Sequence, residues 1–325
     1  MISDDVGVVA IGRNEGERLT GCLASVKSNT DNIVYVDSGS TDESIARAQQ
    51  IGVCVVTLDS TKPFSAARAR NEGFAALKVL KPDIRFVQFI DGDCILVQTW
   101  LNKALTFFER RTDVGIACGR RREQYPTASI YNQLCDFEWD TPLGETSACG
   151  GDALVRVEAF ETAGGFRSQL IAGEEPELCV RLRNLGWKVW RLDAEMTRHD
   201  AAMKRFAQWW VRSVRTGYGY AEVSRLHKTS PLRIGTRELA RAICWAGIMP
   251  LTIGIGALIH PAVLWAALIY VLQICRIAFL LAPTSFKSWK FALLITLAKF
   301  AEFQGVTKYY YRRWQGQTGA LIEYK

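Results

Sequence analysis

Two aspartates separated by one glycine, Asp91-Gly92-Asp93, directly follow the mostly apolar run of residues 87–90. A run of this kind predicts a buried strand, which would carry both carboxylates to the edge of a sheet. In open α/β sheets, ligands bind beyond the carboxyl ends of the strands. Two carboxylates there are suited to hold a hard divalent cation against phosphate oxygens, and Gly92 would allow a close backbone approach. Taken alone, the pattern fits a solvated turn at least as well.

A second group of carboxylates, Glu174, Glu175 and Glu177, surrounds Pro176. A proline near a first helical position, acids in the first turn and Gly186 further on predict a helix that begins here. A helix N-terminus favours an ionised carboxylate, which suits a general base. Three acids in a first turn are also what simple stabilisation of the helix dipole would give.

The elements that must position these acids alternate along the first part of the chain. Short apolar runs and stretches of helical periodicity follow each other in units of roughly thirty residues, which predicts an α/β fold with a mostly parallel, Rossmann-like sheet. Polar groups come directly after three predicted strands, namely Asn14 with Glu15, Asp37, and Asp91 with Asp93. We expect them to meet at one edge of the sheet. Neither a Gly-x-Gly-x-x-Gly nor a Walker sequence occurs, which disfavours dinucleotide and P-loop chemistry.

The composition narrows the class of protein. The chain has 325 residues, with 40 Lys and Arg against 33 Asp and Glu, a formal net charge of +7. Nine cysteines are scattered without a Cys-x-x-Cys pair, so we expect reduced thiols in the cytosol rather than a zinc site or a disulfide framework. The acidic start of the chain, residues 1–5, lacks a basic and an apolar region and predicts no signal peptide.

Four motifs in this order resemble the family 2 glycosyltransferases of the GT-A fold, of the membrane-anchored bacterial type. They are residues 10–15 (Ala-Ile-Gly-Arg-Asn-Glu), 36–42 (Val-Asp-Ser-Gly-Ser-Thr-Asp), 69–73 (Ala-Arg-Asn-Glu-Gly) and 91–93 (Asp-Gly-Asp). The resemblance implies that a nucleotide-diphosphate sugar is bound by Asn14, Glu15, Asp37, Ser38, Arg68, Asp91 and Gly92. It also implies Mg²⁺ or Mn²⁺ on the diphosphate, held by Asp93 and Asp91. Each position has a structural alternative: Asp37 could cap a helix, and Arg68 could be a solvated helix charge.

The same resemblance suggests the catalytic base. Glu174-Glu175 is similar to the family's Glu-Asp motif, whose second acid is the base, so Glu175 is the first candidate and Glu174 the second. A glutamate stands where aspartate is usual, which alters the reach of the carboxylate. His199 matches a position where some members complete the metal site, with a structural histidine as the alternative. The implied reaction is inverting: the base accepts the acceptor's hydroxyl proton while the cation stabilises the departing diphosphate.

The chain changes character after the predicted catalytic domain of residues 1–203. Residues 204–232 predict a basic, tryptophan-containing amphipathic helix and a linker, suited to an anionic membrane surface or, alternatively, to packing on the catalytic domain. Residues 233–325 predict a membrane anchor, a C-terminal transmembrane helical hairpin with spans at about 239–259 and 262–282 and an interfacial tail. A hairpin in the core of a soluble protein is the alternative. Arginines before the first span and lysines after the second place the catalytic domain on the cytoplasmic side of the inner membrane.

These observations predict a metal-dependent, inverting, hexosyltransferase-type enzyme. It would move one sugar from a nucleotide-diphosphate donor to a membrane-associated acceptor, a polyprenyl-linked glycan of cell-surface polysaccharide biosynthesis. The alternatives are a polyprenyl-phosphate sugar synthase and a catalytically inactive membrane scaffold. Nucleic-acid binding is disfavoured, because the basic residues lie beside apolar spans rather than on a separate polar face. Neither the donor sugar nor the oligomeric state follows from the sequence.

Overall fold

The computed structural model describes residues 4–317, and the chain divides into two compact units, Met1–Ala202 and Met203–Lys325. Residues 1–3 lie outside the described residues. They are part of the acidic start of the chain, for which no signal peptide was predicted. Residues 318–325, the end of the predicted membrane anchor, also lie outside the described residues.

Within the described part of the first unit, the strands form one nine-stranded mixed sheet. The strands are β1 (Val6–Gly12), β2 (Ile33–Asp37), β3 (Cys54–Thr57), β4 (Phe86–Asp91), β5 (Cys94–Leu96), β6 (Val114–Glu123), β7 (Gly144–Glu145), β8 (Ala153–Arg156) and β9 (Lys188–His199). Their order is β3-β2-β1-β4-β8-β6-β9-β5, and β7 pairs with β9 outside this path.

Strands β3, β2, β1 and β4 run parallel, and their register positions the polar residues that follow them. Gly12 of β1 is paired with Asp37 at the end of β2, and Ile11 is paired with Asp91 at the end of β4. The residues of β1, β2 and β4 are almost all buried, as expected of parallel strands covered on both faces. The predicted α/β fold is confirmed, and two of the predicted site aspartates flank the end of β1.

The second half of the sheet is mixed. Strand β8 runs antiparallel between β4 and β6, and β5 runs antiparallel to β9. Strands β6 and β9 pair in parallel, and each continues well beyond the apolar residues near its start. These later parts include many charged residues, and the side chains alternate between the faces of the sheet: Arg122 is exposed, whereas Glu123 is buried. A charged continuation of this kind hides a strand from sequence patterns that depend on apolar runs.

Helices follow the strands of the first unit. They are α1 (Glu17–Lys27), α2 (Ser44–Ile51), α3 (Ala66–Leu80), α4 (Trp100–Arg110), α5 (Ile130–Glu138), α6 (Val157–Thr162) and α7 (Glu174–Asn184). Helix α3 lies directly on the sheet at Gly73, where a Cβ atom would come within 2.4 Å of Val9 and 2.7 Å of Val36. This close approach brings the first turns of α3, which carry two arginines, next to the edge where β4 ends.

The second unit is helical in its described part. Its helices are α8 (Phe206–Leu226), α9 (Thr236–Ile243), α10 (Met249–Ile259), α11 (Leu268–Leu281) and α12 (Phe286–Trp314), with a π-helical stretch at Cys244–Ile248 and a 3₁₀ stretch at Pro261–Ala267. Helices α8 and α12 touch backbone to backbone at Gly217 and Gly305. A Cβ on Gly217 would lie 2.0 Å from the Glu302 carbonyl oxygen, and one on Gly305 would lie 2.0 Å from that of Val214.

Two helical stretches of this unit, Thr236–Ile259 and Pro261–Leu281, are long and apolar enough to cross a membrane. At about 1.5 Å per residue each would extend roughly 30–36 Å, against a hydrocarbon core of about 30 Å. Their side chains are almost all outside the interior of the unit, unlike those of a core helix in a soluble domain. The described residues of the predicted interfacial tail belong to α12, which packs on α8 and α11. Their position at a membrane interface stays a prediction.

Candidate active site

Asn14, in the loop after β1, connects that loop to the one after β2. Its backbone has the left-handed conformation (φ 55°), which asparagine tolerates better than most residues. The side-chain oxygen of Asn14 accepts a hydrogen bond from the backbone N–H of Thr41 at 2.7 Å, and the backbone N–H of Asn14 donates to the Ser40 hydroxyl at 2.9 Å. Glu15, next along the chain, pairs with Arg18 at 2.8 Å. Both residues lie at the predicted edge.

Asp37 is fully buried at the end of β2. Its carboxylate accepts hydrogen bonds from the amides of Gly39 and Ser40, at 2.9 and 2.8 Å, and from the Tyr35 hydroxyl at 2.9 Å. Ser38 is half-buried, and its amide donates to the Gly12 carbonyl at 3.0 Å. Asp37 therefore shapes the loop from within rather than presenting its carboxylate at the surface.

Arg68 and Arg70, two residues apart on α3, have different surroundings. Arg68 pairs with Glu72 at 2.7 Å and donates to the carbonyl oxygens of Asp59 and Lys62 at 3.0 and 3.1 Å. It thereby holds the loop that precedes α3. Of these two arginines, Arg70 reaches the Asp-x-Asp motif. It lies in one of the four sequence motifs but was not predicted as a site residue.

Arg70 joins two of the candidate carboxylates. It pairs with Asp91 at 2.8 Å and with Glu174 at 2.7 Å, and only 3% of its side chain is exposed. Burial by itself would lower the pKa of Arg70, but the charges of Asp91 and Glu174 raise it above its ordinary value. Two acids that are far apart in the sequence are thus linked through one buried guanidinium.

A second arginine, Arg121 of β6, completes the cluster with Asp152. Arg121 lies 2.8 Å from Asp152 and 3.7 Å from the second oxygen of Asp91. Asp152 is fully buried and also accepts from the Asp91 amide at 3.1 Å and from the Thr197 hydroxyl at 2.8 Å. Neither Arg121 nor Asp152 was predicted from the sequence. A Gly-Gly pair before Asp152 was the available signal, since a Cβ on Gly151 would crowd Arg70, Asp91 and Arg121 at 3.0–3.2 Å.

Asp93 and His199 form the part of the site that fits a metal ion. The pairing of β5 with β9 sets Cys94 opposite His199, and the histidine Nε2 lies 3.1 Å from the Asp93 carboxylate. Two ligands on adjacent corners of a coordination sphere with bonds of about 2.1–2.2 Å would be about 3 Å apart. Both side chains are buried, and the other ring nitrogen of His199 has no hydrogen-bond partner within residues 4–317.

The protonation state of His199 also suits a ligand. Burial, together with the charge of Arg121, lowers the pKa of His199 to about 4, so the imidazole is neutral near pH 7. The Asp93 carboxylate suits Mn²⁺ or Mg²⁺, and a neutral imidazole is a common metal ligand in proteins. Trp139 covers this corner of the site, with its ring centre 5.0 Å from that of His199.

The two acids at the start of α7 point in different directions. Glu174 pairs with Arg70, as described, and 12% of its side chain is exposed. Glu175 is buried, and its carboxylate accepts hydrogen bonds from the Cys149 amide and, at 3.1 Å, from the Cys179 thiol. Burial raises the pKa of Glu175, against the effect that the helix N-terminus alone was expected to have. The structure therefore links Glu174, but not Glu175, directly to the cluster around Asp91.

The chain is similar in sequence to known glycosyltransferases. A family model described as "Glycosyl transferase family 2" matches residues 8–168. The chain is 25% identical over 205 residues to an O-antigen chain rhamnosyltransferase of Salmonella typhimurium, covering 58% of this chain and 63% of the relative. It is 27% identical over 271 residues to the pre-mycofactocin glycosyltransferase of Mycobacterium tuberculosis, covering 78% of this chain and 54% of the relative. The chain thus spans less than two thirds of both relatives.

A solved structure shares the fold. The mannosyltransferase from Pyrobaculum calidifontis, determined in complex with GDP-Man and Mn²⁺, superposes with a TM-score of 0.67 over 95% of this chain and 88% of its own, at 17% sequence identity. At this identity the likeness concerns the fold, which is GT-A.

Proposed function

The chain belongs to glycosyl transferase family 2 through its first unit, and from that premise we propose that it is an inverting glycosyltransferase that uses a nucleotide-diphosphate sugar. The observation that carries the proposal is the convergence of Asp91, Asp93, Glu174 and His199 at one edge of the sheet. These residues come from three distant parts of the chain. Arg70 joins Asp91 to Glu174, Arg121 lies beside Asp91, and Asp93 pairs with His199.

We assign the donor to the edge where β1, β2 and β4 end. The loops held by Asn14, Asp37 and Arg68 would surround the nucleotide, with Glu15 and Ser38 beside it. Asp93 and His199 would hold Mg²⁺ or Mn²⁺, with Asp91 and Gly92 next to the diphosphate. When bound, the cation would supply positive charge that stabilises the leaving diphosphate. Arg70 and Arg121 neutralise the acids that remain and keep Asp91 oriented.

We assign the general base to Glu175, with Glu174 as the second candidate. Burial raises the pKa of Glu175 toward the range in which a carboxylate can both lose and accept a proton during turnover. It would accept the proton of the acceptor hydroxyl as that oxygen attacks the anomeric carbon. Glu174 is instead engaged by Arg70 at 2.7 Å, so its carboxylate is already occupied by an ion pair.

The acceptor is proposed to be a membrane-associated glycan, polyprenyl-linked, in cell-surface polysaccharide biosynthesis. Support comes from the two apolar helical stretches of the second unit and from the relative named as an O-antigen chain rhamnosyltransferase. We propose that these helices anchor the chain in the inner membrane and that the first unit faces the cytoplasm, where nucleotide sugars are made. A reporter fused to the C-terminus would then be cytoplasmic, and a periplasmic reporter would contradict this topology.

The enzymatic proposal is tested with the full-length protein in lipid nanodiscs. We would incubate it with a panel of nucleotide sugars that includes an activated rhamnose, with Mg²⁺ or Mn²⁺, and measure nucleotide release for each donor. Asp93→Asn should reduce turnover at least about tenfold, since even outer-shell partners of a metal cost about that much when lost. The control is Asp113→Asn, which removes an aspartate paired with Arg111 outside the site.

Two further variants separate the roles of the acids. Glu175→Gln should slow transfer to a hydroxyl acceptor by about 10²–10⁴-fold, the usual contribution of a positioned base. Glu174→Gln should act mainly on donor affinity, through Arg70 and Asp91. If Glu174→Gln lost more transfer activity than Glu175→Gln, Glu174 would become the proposed base in place of Glu175. A mild effect of Glu175→Gln with lipid phosphate as acceptor would favour a polyprenyl-phosphate sugar synthase, and no release with any donor would favour a scaffold.

A further inference from the structure

Two thiols and one carboxylate meet beside the first turns of α7. The sulfur atoms of Cys149 and Cys179 are 3.8 Å apart, although the residues are 30 positions apart in the sequence. The Cys179 sulfur lies 3.1 Å from the Glu175 carboxylate, and one ligand atom from each residue lies within 4.8 Å of the others. We call these three residues the thiol–carboxylate site.

The spacing of the sulfurs distinguishes two kinds of chemistry. Two thiolates on a tetrahedral Zn²⁺, with Zn–S bonds of about 2.3 Å, are about 3.8 Å apart. A disulfide bond is only about 2.05 Å long, so its formation would require the sulfurs to approach by roughly 1.7 Å. The observed separation therefore suits two ligands of one ion without movement of the backbone.

We propose that the thiol–carboxylate site binds one borderline-soft divalent cation of the Zn²⁺ class through Cys149, Cys179 and Glu175, with a water molecule as fourth ligand. Each thiol would release its proton to solvent as its sulfur coordinates the ion, and the carboxylate would bind as the anion. With two thiols, this ligand set is softer than that of Asp93 and His199, beside which one thiol, that of Cys94, lies.

The surroundings favour such an ion. Glu175 and Cys179 are four residues apart on α7 and so lie on the same helical face. They stand in the first two turns of α7, but burial raises the pKa of Glu175 and outweighs the helix N-terminus there. The charge of the bound cation, rather than the helix, would therefore hold the ligands in their anionic forms. Cys149 is only partly buried, and a Cβ placed on the neighbouring Gly150 would have no atom within 4 Å, so an ion can enter from the side of this loop.

The consequence for catalysis rests on the proposed function. An ion held by Glu175 occupies the carboxylate that would accept the acceptor's proton, so Zn²⁺ should inhibit sugar transfer while Mg²⁺ or Mn²⁺ supports it. The thiol–carboxylate site would then couple the activity to the availability of thiophilic metal ions.

The binding test uses Cd²⁺, which reports thiolate ligands through a near-ultraviolet charge-transfer absorption. The full-length protein, reduced and freed of metal by chelation, is titrated in detergent micelles alongside Cys149→Ser, Cys179→Ser and the control Cys54→Ser. In the wild type and in the control we expect the absorption of two thiolates per ion. In the two site variants we expect Cd²⁺ to bind at least about a hundredfold more weakly, since even the loss of an outer-shell partner lowers metal affinity by about 10–100-fold. Wild-type absorption and affinity in either site variant would overturn the proposal.

A second measurement needs no substitution and so does not depend on how the variants fold. Zn²⁺ should slow alkylation of Cys149 in the wild-type protein, as quantified by mass spectrometry, and leave Cys54 unaffected. Equal alkylation of Cys149 with and without Zn²⁺ would count against the site. So would a Cys149–Cys179 disulfide that forms on mild oxidation as fast with the ion as without it. Because neither measurement requires turnover, a protein that binds the ion but transfers no sugar would refute the proposed function and not this site.

Discussion

Arg70→Met tests the idea that one buried guanidinium holds the two halves of the candidate site together. The substitution keeps much of the apolar volume and removes two charge-assisted hydrogen bonds, to Asp91 at 2.8 Å and to Glu174 at 2.7 Å. Removal of one partner of a buried ion pair costs about 3–5 kcal/mol, because a charge is left uncompensated. Asp91 is 29% exposed and retains Arg121 at 3.7 Å, so we expect the lower end, about 3 kcal/mol.

The assay is thermal and denaturant unfolding of the full-length protein, with hydrogen exchange of α3 and α7 to assign the loss to the first unit. For a unit of this size, about 3 kcal/mol corresponds to a lowering of the midpoint by roughly 6–12 °C. The matched control is Arg110→Met, at an exposed arginine at the end of α4, which should change the stability by less than about 0.5 kcal/mol.

A double variant examines the physical reason. Glu174→Gln should destabilise the wild type, since it removes one partner of Arg70. In the Arg70→Met background the same change should restore part of the lost stability, because it removes an orphaned buried charge. Two results would refute the bridging role of Arg70. One is a free energy of unfolding for Arg70→Met within about 1 kcal/mol of the wild type, and the other is simple additivity of the stability changes of the two substitutions.

Three further predictions concern other parts of the molecule. Burial opposes ionisation of Asp136, but the hydrogen bonds from the Glu123 amide and Arg122 outweigh it and lower the pKa of this carboxyl. A carboxylate whose pKa is lower in the folded state stabilises the fold at pH values above its unfolded pKa. Asp136→Asn should therefore cost about 1–2 kcal/mol at pH 7, and progressively less as the pH falls below about 4, as measured by urea unfolding. Gly305→Ala should destabilise the second unit by at least about 2 kcal/mol in detergent. Gly254→Ala should be neutral or slightly stabilising, because a Cβ at that position has no atom within 4 Å. Equal unfolding midpoints for the two variants would contradict the close crossing of α8 and α12. Chelation of divalent ions should lower nucleotide release at least about tenfold, with recovery on addition of Mn²⁺ or Mg²⁺; turnover unaffected by chelation would exclude a required metal.

The sequence predicted the features that depend on neighbouring residues. The apolar residues of β1, β2 and β4 and the polar residues that follow them indicated a parallel sheet with a functional edge, and the structure has that sheet. The two apolar stretches of the second unit were also visible, because a helix long enough to cross a membrane needs a continuous apolar segment. The charged ends of β6 and β9 were missed, since no apolar run identifies them.

Within the candidate site, the sequence alone could not choose between similar residues close together in the chain. Arg68 and Arg70 share one helix, yet the close packing of α3 at Gly73 directs Arg70 to Asp91, while Arg68 holds a loop. Glu174 and Glu175 are adjacent, and successive helical residues face different directions. One therefore joins the arginine cluster while the other lies among cysteines.

The sequence by itself determined that the chain has an α/β unit with acids at strand ends, followed by apolar helices, because these properties are written in local composition and periodicity. Only the tertiary structure decided which charges meet. Asp152, Arg121 and His199 reach the Asp-x-Asp motif because β8, β6, β9 and β5 assemble beside β4 in an order different from that of the chain. That order depends on packing between residues far apart along the chain, 61 positions for Asp91 with Asp152 and 104 for Arg70 with Glu174, and no local pattern contains it.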